Sequence, residues 1–181
     1  MNNVYFVVVR YNGLKGKVFK YILDVIESIE TIEVKAIYGV KWNLEDKENN
    51  LLSFYEHKKS QDAINDIIRV NGLMMAAIIL YDREPCDPPA GEKHPDFCTN
   101  WNATYIKRAV RSKYGNVVHV SDNTELAYGE IRKLLGLSKE KVDELVAGGK
   151  VDIREITTGN ELARIFNKIK DGRKTLWTPE K

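Results

Sequence analysis

The sequence predicts a layered sandwich of helices and strands, in either the α/β or the α+β class. Short apolar runs rich in β-branched residues alternate with segments whose apolar residues recur at helical spacing. In addition, 181 residues with 43% hydrophobic and 30% charged side chains suffice for one globular domain with its own core. The predicted order is strand, helix, strand, helices, strand, helix, strand, helix.

The first half of the chain predicts two strands around one amphipathic helix. Residues 4–9 are an unbroken apolar run, which is typical of a strand buried on both faces, and a turn containing Asn12 and Gly13 follows. Residues 15–29 have apolar side chains at helical spacing. Residues 31–42 return to strand composition, and simple alternation would put the following side chains on one face: Ile32, Val34, Ala36 and Tyr38.

The middle of the chain predicts helices over residues 44–59 and 60–70 and an apolar strand over 73–81. Four of the five prolines fall in residues 82–101, which indicates an irregular excursion. Helical spacing returns over residues 102–113, and 116–120 form a short strand. Ser121 or Asp122 is expected to cap the helix that follows.

The remaining residues, 138–181, predict two further helices, one ending near Gly148 and one beginning at the capping-box pattern from Thr158 to Glu161. The expected organisation is therefore a domain over residues 1–137, with an insertion at about 82–101. A helical extension over 138–181 packs on the same domain.

Composition excludes several classes of function. A net charge of only +2 gives no electrostatic argument for nucleic acid binding. No apolar run is long enough for a membrane span, and the apolar run near the N-terminus lacks the basic residues of a signal peptide. With two cysteines, a cytoplasmic location is expected. Cys86, His94 and Cys98 match no strong zinc template, so no protein metal site is predicted.

The segment from Asn116 to Asp122 is the most informative part of the sequence for chemistry. His119 ends a strand just ahead of a helix, where free amides favour an anion. Glu130 in that helix can accept a hydrogen bond from one ring nitrogen and leave the other nucleophilic. The alternative is a half-buried structural histidine with a capped helix behind it, which short motifs alone do not exclude.

The run Asn116-Val117-Val118-His119, followed by Ser121-Asp122, Glu125 and Glu130, resembles the active-site signature of nucleoside diphosphate kinases. Two further stretches agree in order. Arg10-Tyr11-Asn12-Gly13 stands where that family has Lys-Pro-Asp-Gly, and Phe54-Tyr55-Glu56-His57-Lys58 is similar to its His-Tyr-x-Glu-His-Lys. Val110-Arg111 with Gly115 resembles the end of a helix that supplies a phosphate-binding arginine.

The resemblance implies a ferredoxin-like βαββαβ sandwich of the α+β class. It also implies phosphoryl transfer from a nucleoside triphosphate to a nucleoside diphosphate through phospho-His119, with Mg²⁺ held by the phosphates and a homo-oligomeric assembly. The implied catalytic residues are His119, Glu130 and Ser121; those implied to bind nucleotide or phosphate are Arg10, Tyr55, Arg111 and Asn116.

Several departures from the family pattern keep a second interpretation open. Arg10 replaces the family's lysine, Val120 replaces the glycine after the histidine, and the long phosphate-holding loop before Asn116 is missing. The alternative is therefore a catalytically impaired module that binds nucleotides or other proteins. For Arg111, the alternative role is a place in a solvated basic face with Lys107, Arg108 and Lys113.

Overall fold

Strands from both ends of the chain meet in one sheet in a computed structural model, which describes residues 3–41, 74–86, 100–148 and 151–155. Within these residues the strand order is β4-β1-β3-β2-β5. The strands are β1 (Val4–Val9), β2 (Ile32–Lys41), β3 (Met74–Asp82), β4 (Val118–Val120) and β5 (Asp152–Glu155). The helices are α1 (Gly16–Glu27), α2 (Trp101–Tyr114), α3 (Thr124–Leu135) and α4 (Lys139–Ala147), and a 3-10 turn spans Tyr11–Leu14.

The first four strands form the antiparallel arrangement of a ferredoxin-like βαββαβ sandwich. The strand β1 pairs antiparallel with both β3 and β4, and β2 pairs antiparallel with β3. This pattern confirms the α+β class and excludes the α/β alternative, whose sheet would be mostly parallel. The fifth strand was not predicted; β5 pairs parallel with β2 at the far edge.

Each face of the sheet has its own core. Alternate side chains of β1 enter the two cores, and all six of its residues are buried, as its unbroken apolar run predicts. The first core lies between the sheet and the helices α1 and α2, and the second lies under α3 and α4. The sequence-predicted helix ending near Gly148 is α4, and its Val142 is fully buried in the second core.

Simple alternation was wrong for the second strand because β2 contains a bulge. Val34 pairs with Leu80 and Ala36 with Ile79, so Lys35 is an extra residue in the ladder. Ile32 and Val34 therefore pack against the first core, whereas Ala36 and Tyr38 enter the second. A one-residue insertion reverses the face of every side chain after it.

A close backbone approach at Gly13 brings the turn after β1 against the segment that precedes β4. A Cβ at Gly13 would lie 2.6 Å from Val9 Cγ1 and 3.2 Å from the Val117 carbonyl oxygen. The absence of a Cβ at Gly13 therefore lets this turn pack directly against the segment before β4. The helices predicted over 44–59, 60–70 and from Thr158 lie outside the described residues, as does the interior of the excursion after Asp82.

The described helices include none long and apolar enough to cross a bilayer.

Candidate active site

The strand β4 fixes the position of His119 against β1. His119 lies opposite Val8 in the antiparallel ladder. Just beyond the strand, the Ser121 amide donates to the Phe6 carbonyl oxygen at 2.9 Å, and the Phe6 amide donates to Ser121 Oγ at 2.9 Å. Ser121 thus extends the pairing of β4 with β1 through its side chain. Its predicted catalytic role remains a prediction.

The buried pair formed by His119 and Glu130 is the centre of the site. His119 Nε2 lies 2.9 Å from Glu130 Oε1, and the two residues are only 7% and 4% exposed. The hydrogen bond expected from the sequence is therefore present. A carboxylate accepts but does not donate, so this contact assigns the proton to Nε2 and the lone pair to Nδ1.

The surroundings of His119 favour its neutral form. Burial lowers the pKa of His119 below its ordinary value because a charged imidazolium loses its hydration. The Glu130 carboxylate raises this pKa, through its charge and its hydrogen bond, whereas the positive charges of Lys107 and Arg10 lower it. The net direction is downward. At neutral pH the ring is a neutral base with a carboxylate-bound Nε2–H.

The start of α3 aligns Glu130 with His119, but its cap differs from the prediction. Asn123 caps the helix by accepting a hydrogen bond from the Leu126 amide, so the expected cap at Ser121 or Asp122 was wrong. Both of those side chains have other partners, Ser121 in β1 and Asp122 in α2. Thr124 Oγ1 also bonds both backbone groups of Val4, which fixes the helix start on the sheet.

Arg10 ties the end of β1 to the segment before β4. Its side chain is almost fully buried, at 2% exposure, and its Nη1 donates to the Asn116 carbonyl oxygen at 2.7 Å. The Arg10 amide donates to the carbonyl oxygen of Val117 at 2.9 Å. Asn116 itself is exposed. Arg10 and Asn116, two of the four residues predicted to bind phosphate or nucleotide, therefore lie together just before β4.

Arg111 and Lys107 bring positive charge to β4 from α2. Arg111 Nε and Nη2 both donate to the Val118 carbonyl oxygen, at 3.1 and 2.9 Å. Lys107 Nζ donates to Asp122 Oδ1 at 2.9 Å, and both residues are less than 5% exposed. The interpretation of Lys107 as part of a solvated basic face was wrong.

Two solved structures with similar architecture are nucleoside diphosphate kinases. The apo enzyme from Encephalitozoon cuniculi is 18% identical with a TM-score of 0.53, over 75% of this chain and 90% of that one. The Aquifex aeolicus enzyme is 16% identical with a TM-score of 0.51, over 78% of this chain and 99% of the other. No protein-family model and no curated protein sequence matches the chain. The chain has the fold of the nucleoside diphosphate kinases.

Within this kinase fold, the described residues bring together most of the predicted site. At these identities the agreement concerns the fold, and the roles of individual residues remain predictions. Tyr55 lies outside the described residues. The following predicted site residues all lie on or beside β4: Arg10, Arg111, Asn116, His119, Ser121 and Glu130.

The connection from α2 to β4 is short, as expected from the absence of the family's long loop in the sequence. The helix α2 ends at Tyr114, Gly115 follows with φ of 71°, and β4 begins at Val118. Only residues 115–117 join the two elements. This short connection carries neither the threonine nor the second arginine of the family's loop.

Lys107 is the charged residue of the site that sequence reasoning missed. Its position does carry a signal, because Ala103, Ile106 and Val110 form the buried stripe of α2 and Lys107 falls within that stripe. A lysine on an apolar face needs a buried anion as partner, which Asp122 supplies.

Proposed function

We propose that the chain transfers a phosphoryl group from a nucleoside triphosphate to a nucleoside diphosphate through His119. The observation that carries this proposal is the buried His119–Glu130 hydrogen bond of 2.9 Å on a nucleoside diphosphate kinase fold. Any buried histidine needs a hydrogen-bond partner for its ring N–H, but a neutral acceptor is enough for a residue that only packs. A nucleophile needs more, namely a partner that keeps the proton on one nitrogen and the lone pair on the other, and the Glu130 carboxylate does this.

The reaction proceeds in two balanced steps. The Nδ1 lone pair of His119 attacks the γ-phosphorus, and the bond to the bridging oxygen breaks, so the nucleoside diphosphate leaves with the electron pair. The proton on Nε2 stays there, held by Glu130. In the second step a terminal phosphate oxygen of the acceptor diphosphate attacks the phosphorus, and its bond to Nδ1 breaks. The imidazole returns to its starting form.

Positive charge around β4 suits this chemistry, since phosphoryl transfer depends mainly on positioning and charge stabilisation. Arg111 donates from Nε and Nη2 to the Val118 carbonyl oxygen beside His119, and its residue is only partly buried. We propose that it contacts phosphate, with Asn116 and Tyr55 contributing to nucleotide binding.

Magnesium is proposed to arrive with the nucleotide. Among the described residues beside His119, the carboxylates of Glu130 and Asp122 are hydrogen-bonded to His119 and Lys107. That donor set does not form a cage for the ion, whereas phosphate oxygens are its usual ligands. The ion would offset the charge of the transferred group.

A catalytically impaired nucleotide-binding module is the second candidate, and two observations favour it. Arg10 is buried and donates to a backbone carbonyl, so its guanidinium supports the fold where the family pattern has a lysine. Val120, the fully buried residue after His119, adds a branched side chain where that pattern has glycine.

Incubation with γ-labelled ATP and Mg²⁺ separates the candidates. We expect acid-labile, base-stable label on the native protein and on His94→Gln, and none on His119→Gln. His94→Gln is the matched control because it removes another of the three histidines. Absence of label with nucleotide binding retained in calorimetry would indicate the binding module. Absence of both would indicate an interaction protein.

A further inference from the structure

Two basic residues of α2, one helical turn apart, bind the chain on either side of His119. Arg111 donates two hydrogen bonds to the carbonyl oxygen of Val118, the residue before His119. Lys107 donates to Asp122, three residues after His119, at 2.9 Å. Residues at i and i+4 lie on one face of a helix, so α2 presents both groups to β4 together.

We propose that Lys107 is a positioning residue for His119, acting through its buried ion pair with Asp122. This inference rests on the proposed function. Asp122 lies between Ser121, which bonds β1, and Asn123, which caps α3. By holding Asp122, Lys107 fixes the turn through which the strand with the nucleophile and the helix with its carboxylate partner are joined.

Stability alone gives a weak reason for this ion pair. Lys107 and Asp122 are 4% and 3% exposed, and removing two charges from water costs about as much as their attraction returns. Well-packed apolar residues of similar volume often serve equally well at such positions. What the pair supplies and an apolar contact does not is directional placement of the turn and a fixed positive charge beside the site.

The fixed charge matches what the reaction requires. Charged groups reach His119 from three elements: Glu130 from α3, Lys107 from α2 and Arg10 from the end of β1. Arg111 of α2 adds a further positive charge at the Val118 carbonyl oxygen, next to His119. Phosphorylation adds about two negative charges, so a nearby cation that favours the neutral base also offsets the charged product.

The test compares Lys107→Met, the double variant Lys107→Met/Asp122→Asn and the control Lys113→Met. The double variant leaves no unpaired buried charge, so it retains the fold if the single variant does not. Lys113 lies on the same helix but is exposed, over the Tyr21 ring at 4.1 Å. Measurements are the single-turnover labelling rate with γ-labelled ATP, the nucleotide Kd, and the ¹⁵N shifts of the His119 ring across pH.

We expect the double variant to be labelled about ten- to a hundredfold more slowly, because small misplacements of a reacting group have effects of that size. Its nucleotide Kd should stay within about twofold of the native value, and its His119 ¹⁵N shifts should move toward a mixture of tautomers. Lys113→Met should match the native protein. A double variant labelled at the native rate would overturn the proposal.

The ¹⁵N shifts keep this inference separate from the proposed function. If the native protein takes no label, the proposed function fails, and the ring shifts alone decide whether Lys107 positions His119. Altered tautomer populations in the double variant would then support the positioning role, and native populations would overturn it.

Discussion

At the scale of single residues, the site is organised around one neutral imidazole among buried charges. Arg10, Lys107, Asp122 and Glu130 are each less than 5% exposed, and His119 is 7% exposed. Buried charges are tolerated when they are paired or hydrogen-bonded. Lys107 is paired with Asp122, Glu130 is hydrogen-bonded to His119, and Arg10 donates to a backbone carbonyl oxygen. Protonation of His119 would add a further charge to the interior, so it is the unfavourable ionisation in this arrangement.

Protonation of His119 therefore predicts how stability depends on pH. Its pKa in the folded protein is lowered, while the unfolded chain titrates near pKa 6.5. Below about pH 6.5 the unfolded state binds the extra proton first, so the free energy of unfolding falls as pH falls toward the lowered folded pKa. For one proton this slope is at most about 1.4 kcal/mol per pH unit.

Urea denaturation of the native protein and His119→Gln at pH 7.5 and 5.5 measures this effect. Glutamine does not titrate and still offers an N–H group to Glu130. The native protein should lose more stability between the two pH values than the variant does, because their other titrating groups are the same. Equal losses in the two proteins would show that His119 is protonated as readily in the folded chain as in the unfolded one.

At the scale of elements, α3 holds the Glu130 carboxylate at the right depth. The helix begins at a capped, strand-anchored turn and ends at Gly136, whose φ of 67° is left-handed. Ala127 and Ile131 of this helix pack in the second core, and both are fully buried. Gly129, next to Glu130, lies inside the helix, and a Cβ built there meets no atom within 4 Å.

The two glycines of α3 should respond oppositely to the same substitution. Gly129→Ala should raise the free energy of unfolding by about 0.5–1 kcal/mol, because alanine loses less backbone entropy in a helix interior. Gly136→Ala should lower it by about 1–2 kcal/mol, because a Cβ strains the left-handed conformation. Chemical denaturation of both variants checks this. A loss at Gly129 would mean that the space beside it is filled.

Sequence patterns predicted the elements well where one local signal decides the outcome. The apolar run of β1, the spacing of α1 and the Ser138-capped helix α4 all appear within about three residues of the expected bounds. The bulge at Lys35 was missed because a ladder insertion depends on the partner strand. The cap at Asn123 was missed because Ser121 and Asp122, equally good caps in isolation, have tertiary partners.

At the scale of the whole molecule, the candidate site joins segments far apart in sequence. The His119–Glu130 pair lies within one strand–helix unit, so its spacing was visible in the sequence. The contacts of Arg10 with Asn116 span 106 positions, and the burial of Lys107 depends on the docking of α2. Such contacts follow from the packing of the sheet and not from any local pattern.

The pairing of β5 with β2 is another contact between segments far apart in sequence, and it covers the edge of β2. Antiparallel order alone would leave β2 as an edge strand of the described sheet, with backbone groups open to another chain. The chain itself supplies the cover, because Ala36 and Ile37 pair with Asp152 and Ile153. Before β5, the Tyr128 hydroxyl donates to Asp143 and joins α3 to α4.

Removal of the β5 cover should therefore promote self-association. Ile153→Pro removes a backbone donor and disrupts strand pairing opposite Ile37, whereas Ile153→Val keeps a β-branched residue there. Sedimentation across a range of concentrations should show larger species for the proline variant than for the valine variant or the native protein, because an uncovered edge pairs with another chain. Identical sedimentation of all three proteins would mean that the pairing of β5 with β2 is not what protects the edge of β2 from other chains.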